Sequence, residues 1–254
     1  MRLILLLIFI SLTACGQKDS LESVEMYSNA LDEHRNLSVY IPENFNENRE
    51  YNIIYCTDGQ FINKEYKNKL DSLIDSKSIE PIIIIGVHSN EKEIPNSYFE
   101  YRNYEYVESL GIGETNSDLS NRFKNHLTFF INEVPKEIEN KYHLKVKNRY
   151  FYGVSNGAGF GISLASYYPD LFKKYILYSV AGAEYKNLNW DSKIYPSLVI
   201  AYGDEENENL IGNIVEFSNF LHSKDYKHTL KKYKGGHTRE DWLKQFIEDI
   251  KLLK

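Results

Sequence analysis

The run Ile82-Ile83-Ile84-Ile85-Gly86-Val87 contains no polar residue. Successive strand side chains point to opposite faces, so a strand of this composition must be covered on both sides. That is the situation of an inner strand in a mostly parallel sheet sandwiched between helices. The rest of the chain has the spacing such a sheet requires. Asn52 to Cys56 is a second short apolar run, and Leu70, Leu73 and Ile74 recur at helical steps in the segment between the two. Tyr175 to Val180, Leu198 to Tyr202 and His228 to Tyr233 read as later strands, with helices at Leu210 to Leu221 and from about Glu240 to Leu253. Val24 to Ile41 suggests two strands, the second stopped by Pro42, which has no N–H for a ladder. From Leu119 to Tyr142, residues Leu127, Phe130, Ile131, Val134 and Ile138 recur at three- and four-residue steps, and Pro135 predicts a kink or a division. This alternation predicts one α/β domain with a doubly wound, mostly parallel sheet and helices on both faces. Residues 88–117 show no period and predict a long irregular connection, a kind of segment that often carries function.

The N-terminus sets a different constraint. Met1-Arg2 followed by the apolar stretch Leu3 to Leu12 has the form of an export signal, too short to span a bilayer. It closes in Leu12-Thr13-Ala14-Cys15, which resembles a bacterial lipobox, in which the cysteine is acylated and becomes the first residue of the mature protein. Stable anchoring needs more than one lipid chain, and diacylation supplies them. The expected organisation is therefore a signal peptide and lipobox cysteine over 1–15, a tether over 16–22 and a single domain over 23–254. The mature protein is expected on a membrane, at the periplasmic face or the cell surface, yet folded in water. Gly16-Gln17-Lys18-Asp19-Ser20 resembles short signals that send some lipoproteins to the surface. With Cys15 acylated, Cys56 has no disulfide partner, and its apolar surroundings predict a buried core residue. A net charge of −6 with scattered Lys and Arg argues against nucleic-acid binding.

The chemistry is carried by Gly153-Val154-Ser155-Asn156-Gly157, a G-x-S-x-G signature directly after the β-run Arg149 to Tyr152. A strand-to-helix turn this tight needs small flanking residues and leaves the serine Oγ exposed at the end of the sheet. Ser155 is the candidate nucleophile. Gly157, Gly159 and Gly161 weaken a helix, and close approach of that helix to neighbouring backbone is their expected reason. A serine hydroxyl needs a histidine to take its proton and a carboxylate to orient that histidine. In the α/β-hydrolase arrangement that this elbow resembles, the chain order is serine, acid, histidine. His222, His228 and His237 follow the serine; the first lies in a helical run and the second at a strand start, whereas His237 follows Gly235-Gly236 in a loop. His237 is the candidate base. The acid is expected after the strand ending at Tyr202-Gly203, where Asp204, Glu205 and Glu206 stand together. Placement three residues beyond the strand-ending glycine, as in many hydrolases of that fold, favours Glu206, with Asp204 the alternative.

These residues together resemble the esterase family that includes enterochelin esterase, S-formylglutathione hydrolase, feruloyl and acetyl-xylan esterases and mycolyltransferases. The resemblance extends to Arg35 through Pro42, to Asp58-Gly59-Gln60, to Arg102 through Tyr106 and to Gly235-Gly236-His237 through Trp242. Asn156-Gly157-Ala158 departs from the more usual Met-Gly-Gly. The resemblance implies an α/β-hydrolase fold, carboxylic-ester hydrolysis through an acyl-enzyme, and an oxyanion hole formed by the backbone N–H groups of Asn156 and Gln60. Asp58 is expected to brace its turn, and Arg102 and Glu105 to pair with each other and shape the loop, with contact to substrate as the alternative. The implied substrate is a small-molecule or glycan-linked ester: an acylated glycan, a feruloyl or acetyl ester, or a siderophore. Acyl transfer by the same residues, and ligand binding without turnover, are the alternatives. No cofactor is signalled, and neither H-E-x-x-H nor C-x-x-C is present to suggest a metal site.

Overall fold

The computed structural model describes residues 20–190 and 196–253. Cys15, the signal segment and residues 16–19 of the expected tether lie outside them. Eight strands form one sheet: β1 (Leu21–Ser28), β2 (Glu33–Tyr40), β3 (Glu50–Cys56), β4 (Ile82–Val87), β5 (Lys145–Val154), β6 (Lys174–Tyr178), β7 (Ser197–Gly203) and β8 (His228–Tyr233). Their spatial order is β1-β2-β4-β3-β5-β6-β7-β8. Strands β3 to β8 pair in parallel, and β2 runs antiparallel to both β1 and β4. Leu21 and Glu22, expected in the tether, pair with Tyr40 and Val39, so the folded sheet begins where a linker was expected to end.

The uninterrupted apolar runs divide between two cores in the way the pleat requires. Ile53, Tyr55, Ile83 and Ile85 face one cluster, while Ile54, Cys56, Ile82 and Ile84 face the other. The first cluster is closed by α3 (Ser117–Thr128), α4 (Val134–Lys141), α5 (Asn156–Tyr167) and α6 (Glu208–Ser223). The second is closed by α1 (Lys64–Asp75) and α7 (Arg239–Ile250), which contribute Tyr66, Leu70, Trp242 and Phe246. Cys56 is a buried free thiol, and its burial pushes its pKa up. Pro135 divides its helix through a π-turn at Phe129–Glu133 rather than by a break. A proline at this position offers no N–H to the carbonyl of Ile131 and crowds it, and the wider turn relieves both problems.

Residues 88–117 are mostly irregular, as expected, but contain a short helix that the sequence reading did not include. The segment is ordered around α2 (Tyr101–Tyr106) and a 3-10 turn at Glu108–Gly111. A six-residue helix is too short to show a period, and its start depends on a capping box between Glu100 and Asn103.

Candidate active site

Strand β5 ends at Val154 and α5 begins at Asn156, leaving Ser155 alone in the turn with φ 53° and ψ −128°. A side chain in this region costs on the order of 1–3 kcal/mol, so the surroundings must hold it there. They do so through the backbone. Ser155 N–H donates to Tyr178 O at 2.9 Å, and Ser155 O accepts from Ala158, Gly159 and Ala181 at 3.0, 3.1 and 3.2 Å. Gly153 is required because a Cβ there would sit 2.5 Å from Gly157 O. Close backbone approach, expected for three helix glycines, holds only for Gly159, whose Cβ would lie 2.1 Å from Ala181 O. Gly157 and Gly161 make room for side chains instead: Thr57 in one case, Phe151 and Leu177 in the other.

His237 arrives from the loop between β8 and α7. Its Nε2 lies 3.2 Å from Ser155 Oγ, and its Nδ1 lies 3.8 Å from Glu206 Oε1. Glu206 is buried and held by two hydroxyls: Ser179 Oγ donates to Oε1, and so does Tyr233 OH at 3.1 Å. Trp242 Nε1–H donates to Ser179 Oγ at 2.8 Å, and its ring meets His237 edge-on at 4.8 Å. Asp204, the other candidate acid, is not brought to His237. It is exposed and its Oδ1 accepts from Gly235 N at 3.1 Å, so it braces the loop that carries the histidine. Glu205 is also exposed. Ser179, Tyr233 and Trp242 position the carboxylate and the imidazole. Sequence reasoning missed Ser179 and Tyr233, which are single polar residues at strand ends with no local signature.

Partial desolvation lowers the His237 pKa from its ordinary 6.5, with a further downward push from the charge of Arg102; the opposing pull of Glu206 is outweighed. A base is active when neutral, and a lowered pKa keeps it neutral further into acid. The acid limb of the kcat/KM profile for an aryl ester is therefore expected to have its midpoint below 6.5. A midpoint above that value would contradict the desolvated environment.

The two candidate oxyanion donors sit at the starts of adjacent turns. Asn156 N–H is the first of α5, and Gln60 lies in a single 3-10 turn whose first internal bond is Phe61 N–H to Asp58 O, at 3.0 Å. Neither amide has an acceptor within its own helix. The turns pack directly together, since a Cβ on Gly157 would lie 2.2 Å from Thr57 Oγ1 and 3.1 Å from Asp58 Oδ2. The Gln60 side chain points away to Ser89 Oγ at 2.6 Å and Glu91 at 2.9 Å, so only its backbone faces this junction. Beside the elbow, Gly182, Tyr185, Leu210 and Phe217 help line a cleft of about 470 Å³. A Cβ on Gly182 would lie 3.2 Å from Asn156 Oδ1.

Arg102 and Glu105 do not pair with each other. Arg102 grips Asp58 in a fork, Nε to Oδ1 at 2.6 Å and Nη2 to Oδ2 at 2.9 Å, while Asp58 N–H donates to Tyr106 OH at 3.2 Å. Asp58, buried at φ 54°, braces the turn as expected, with Arg102 as its partner. Glu105 points the other way, to Arg35 at 2.6 Å and Arg122 at 2.8 Å. Three-residue spacing on a helix allows the expected pair, but each side chain meets a stronger bidentate partner from another element. Burial pushes the Glu105 carboxyl up, yet the charges of His126, Arg35 and Arg122 outweigh it and hold it at about 2. Burial takes His126 itself down to about 3, so the arginines carry this effect near neutral pH. The stabilisation from Glu105 is thus present above its ordinary 4.5 and is lost as pH falls towards about 2. Glu105→Gln leaves two buried guanidinium groups with the half-buried Glu33 as their one shared carboxylate and is expected to cost about 3–5 kcal/mol of unfolding free energy, read from the urea midpoint.

A family model described as "Putative esterase" matches residues 28–194. The chain belongs to this esterase family. Family membership gives the class of chemistry, hydrolysis of carboxylic esters. No curated protein matches the chain. Among solved structures, the siderophore hydrolase EstA from Aspergillus nidulans is 15% identical over 100% of both chains, with a TM-score of 0.71. The S-formylglutathione hydrolase FrmB from Staphylococcus aureus is 15% identical over 92% of this chain and 95% of its own, at 0.67. A ferulic acid esterase from Anaeromyces mucronatus is 15% identical over 91% and 89%, at 0.67. At such identities the likeness establishes the α/β-hydrolase fold. The family match of this esterase ends before β7, so Glu206 and His237 lie beyond the matched span and their assignment rests on geometry.

Proposed function

We propose that this esterase is a serine carboxylic-ester hydrolase acting through an acyl-enzyme. The observation that carries the reading is the line Ser155 Oγ, His237 and Glu206, with separations of 3.2 and 3.8 Å. Ser155 Oγ attacks the ester carbonyl as His237 Nε2 takes its proton, and Glu206 stabilises the imidazolium that forms. The carbonyl oxygen, now negative, accepts from the N–H groups of Asn156 and Gln60, fixed in place before the charge develops. Collapse expels the alcohol, protonated by His237, and water repeats the sequence on the acyl-serine. No step calls for more than the chain, the ester and water.

The substrate is an ester met outside the cytoplasm, of the acylated-glycan, feruloyl or siderophore type. Support comes from the export signal and lipobox in the sequence, and from solved relatives titled siderophore hydrolase and ferulic acid esterase. Cys15 anchors the protein to a membrane by its lipid, and incorporation of labelled palmitate into the wild type but not into Cys15→Ser tests that. A fluorophosphonate probe tests the nucleophile. Labelling is expected on the peptide containing Ser155, and a chain that hydrolyses aryl acetate while Ser155 stays unlabelled would refute the assignment.

A further inference from the structure

Six arginines fall within the described residues, and five are committed to carboxylates. Arg35 binds Glu33 and Glu105, Arg49 binds Glu80, Arg102 binds Asp58, Arg122 binds Glu33 and Glu105, and Arg149 binds Glu139. Among the described residues Arg239 has no such partner. Its guanidinium lies 3.7 Å from the centre of the Phe61 ring and is exposed. Both members of this stack follow candidate site residues in the chain, Arg239 two residues beyond His237 and Phe61 directly after Gln60, and both line a small pocket with Asp58 and Trp242.

We infer that Arg239 anchors an anionic group, a carboxylate or similar oxyanion, on the ester substrate. The inference rests on the serine-esterase reading above. Arg239 lines a cleft of about 750 Å³ that runs from Gln60 between α1 and α7. Of the carboxylates on its wall, Glu240 is bound to Lys244 and Glu248 to Lys251, both at 2.8 Å. The lining charges balance, Glu65, Glu240 and Glu248 against Lys69, Arg239 and Lys244, and with Glu240 and Glu248 each held by a lysine the carboxylate left to face Lys69 and Arg239 is Glu65, on a chain of net charge −6. The net negative charge disfavours an approaching anion, and a local cation offsets that. Stacking on Phe61 fixes the plane of the guanidinium while leaving its edge donors to solvent, where a carboxylate can take two of them. The other five arginines each tie elements together through a carboxylate, and Arg239 ties none that way.

The test compares ester pairs on the full chain in mild detergent. One pair carries the charge in the acyl half, 4-nitrophenyl hemisuccinate against 4-nitrophenyl butyrate. The other carries it in the alcohol half, 3-acetoxybenzoate against its methyl ester. Arg239→Gln is expected to lower the anionic-to-neutral ratio of kcat/KM by about tenfold in one pair, mainly through KM, which also tells which half the cleft receives. Arg239→Lys is expected to recover part of that ratio, because charge survives without the fork. Ratios unchanged in both pairs for Arg239→Gln overturn the inference, and the ratio format cancels any general loss of folded enzyme. If the wild type turns over none of the four esters, the serine-esterase reading falls first and takes this role for Arg239 with it.

Discussion

Replacing Ser155 with alanine is expected to reduce kcat for aryl-ester hydrolysis by at least about 10⁴-fold, since loss of the nucleophile leaves only binding and oxyanion stabilisation. The readout is initial rate against an equal concentration of folded wild type. A loss below tenfold would mean that another group attacks the ester. Alanine retains the Cβ, so the backbone strain at φ 53° stays and stability should change little. Glycine at the same position tests the strain separately. Ser155→Gly is expected to be equally inactive yet more stable than Ser155→Ala by about 1 kcal/mol, because this backbone region is open to glycine without steric cost. The two variants together separate chemistry from geometry: activity should not distinguish them, and the thermal midpoint should.

Glu206→Gln is expected to lower kcat by about 10³–10⁴-fold, the scale seen when the acid that orients a catalytic histidine becomes an amide. The reason lies in the proton inventory around Oε1. Ser179 and Tyr233 both donate to it, and His237 Nδ1 lies 3.8 Å from the same oxygen. An amide NH₂ placed there presents donors to donors, or turns its oxygen inward and no longer balances the imidazolium charge. Asp204→Asn removes a carboxylate that only accepts from Gly235 N, a bond an amide oxygen can keep, and less than about tenfold is expected to be lost. Equal losses in the two variants would reopen the choice of acid. The pH profile gives an independent check, because removing the charge of Glu206 withdraws the one influence that raises the His237 pKa. The acid limb of Glu206→Gln should therefore move further down, not up.

Local order carried much of the fold. Ile82 to Val87, Asn52 to Cys56 and the later runs could satisfy both faces only as inner strands, and the structure places them so. The elbow was equally legible, because G-x-S-x-G after a strand leaves few alternatives for the backbone. Residues 88–117 were not, since α2 is too short for a period and is held by partners from β2, α3 and the Asp58 turn. Its tyrosines illustrate the point. Tyr104 donates to Glu114 at 2.8 Å, Tyr106 accepts from Asp58 N–H, and Tyr101 lies beneath Arg122, whereas Tyr98 is 95% exposed. Four similar residues in one stretch thus have four different surroundings.

The sequence by itself determined the covered parallel sheet, the strained serine turn and the loop histidine, because each follows from constraints acting within a few residues. Tertiary structure decided which carboxylate meets His237. Asp204, Glu205 and Glu206 are consecutive, and their directions depend on a turn whose outcome is fixed by Ser179 from β6's end, Tyr233 from β8 and Gly235 from the histidine loop. It also decided that Arg102 serves Asp58 and that Arg239 is left without a carboxylate among the described residues, since an ion pair is a choice among neighbours that only the assembled fold brings within reach.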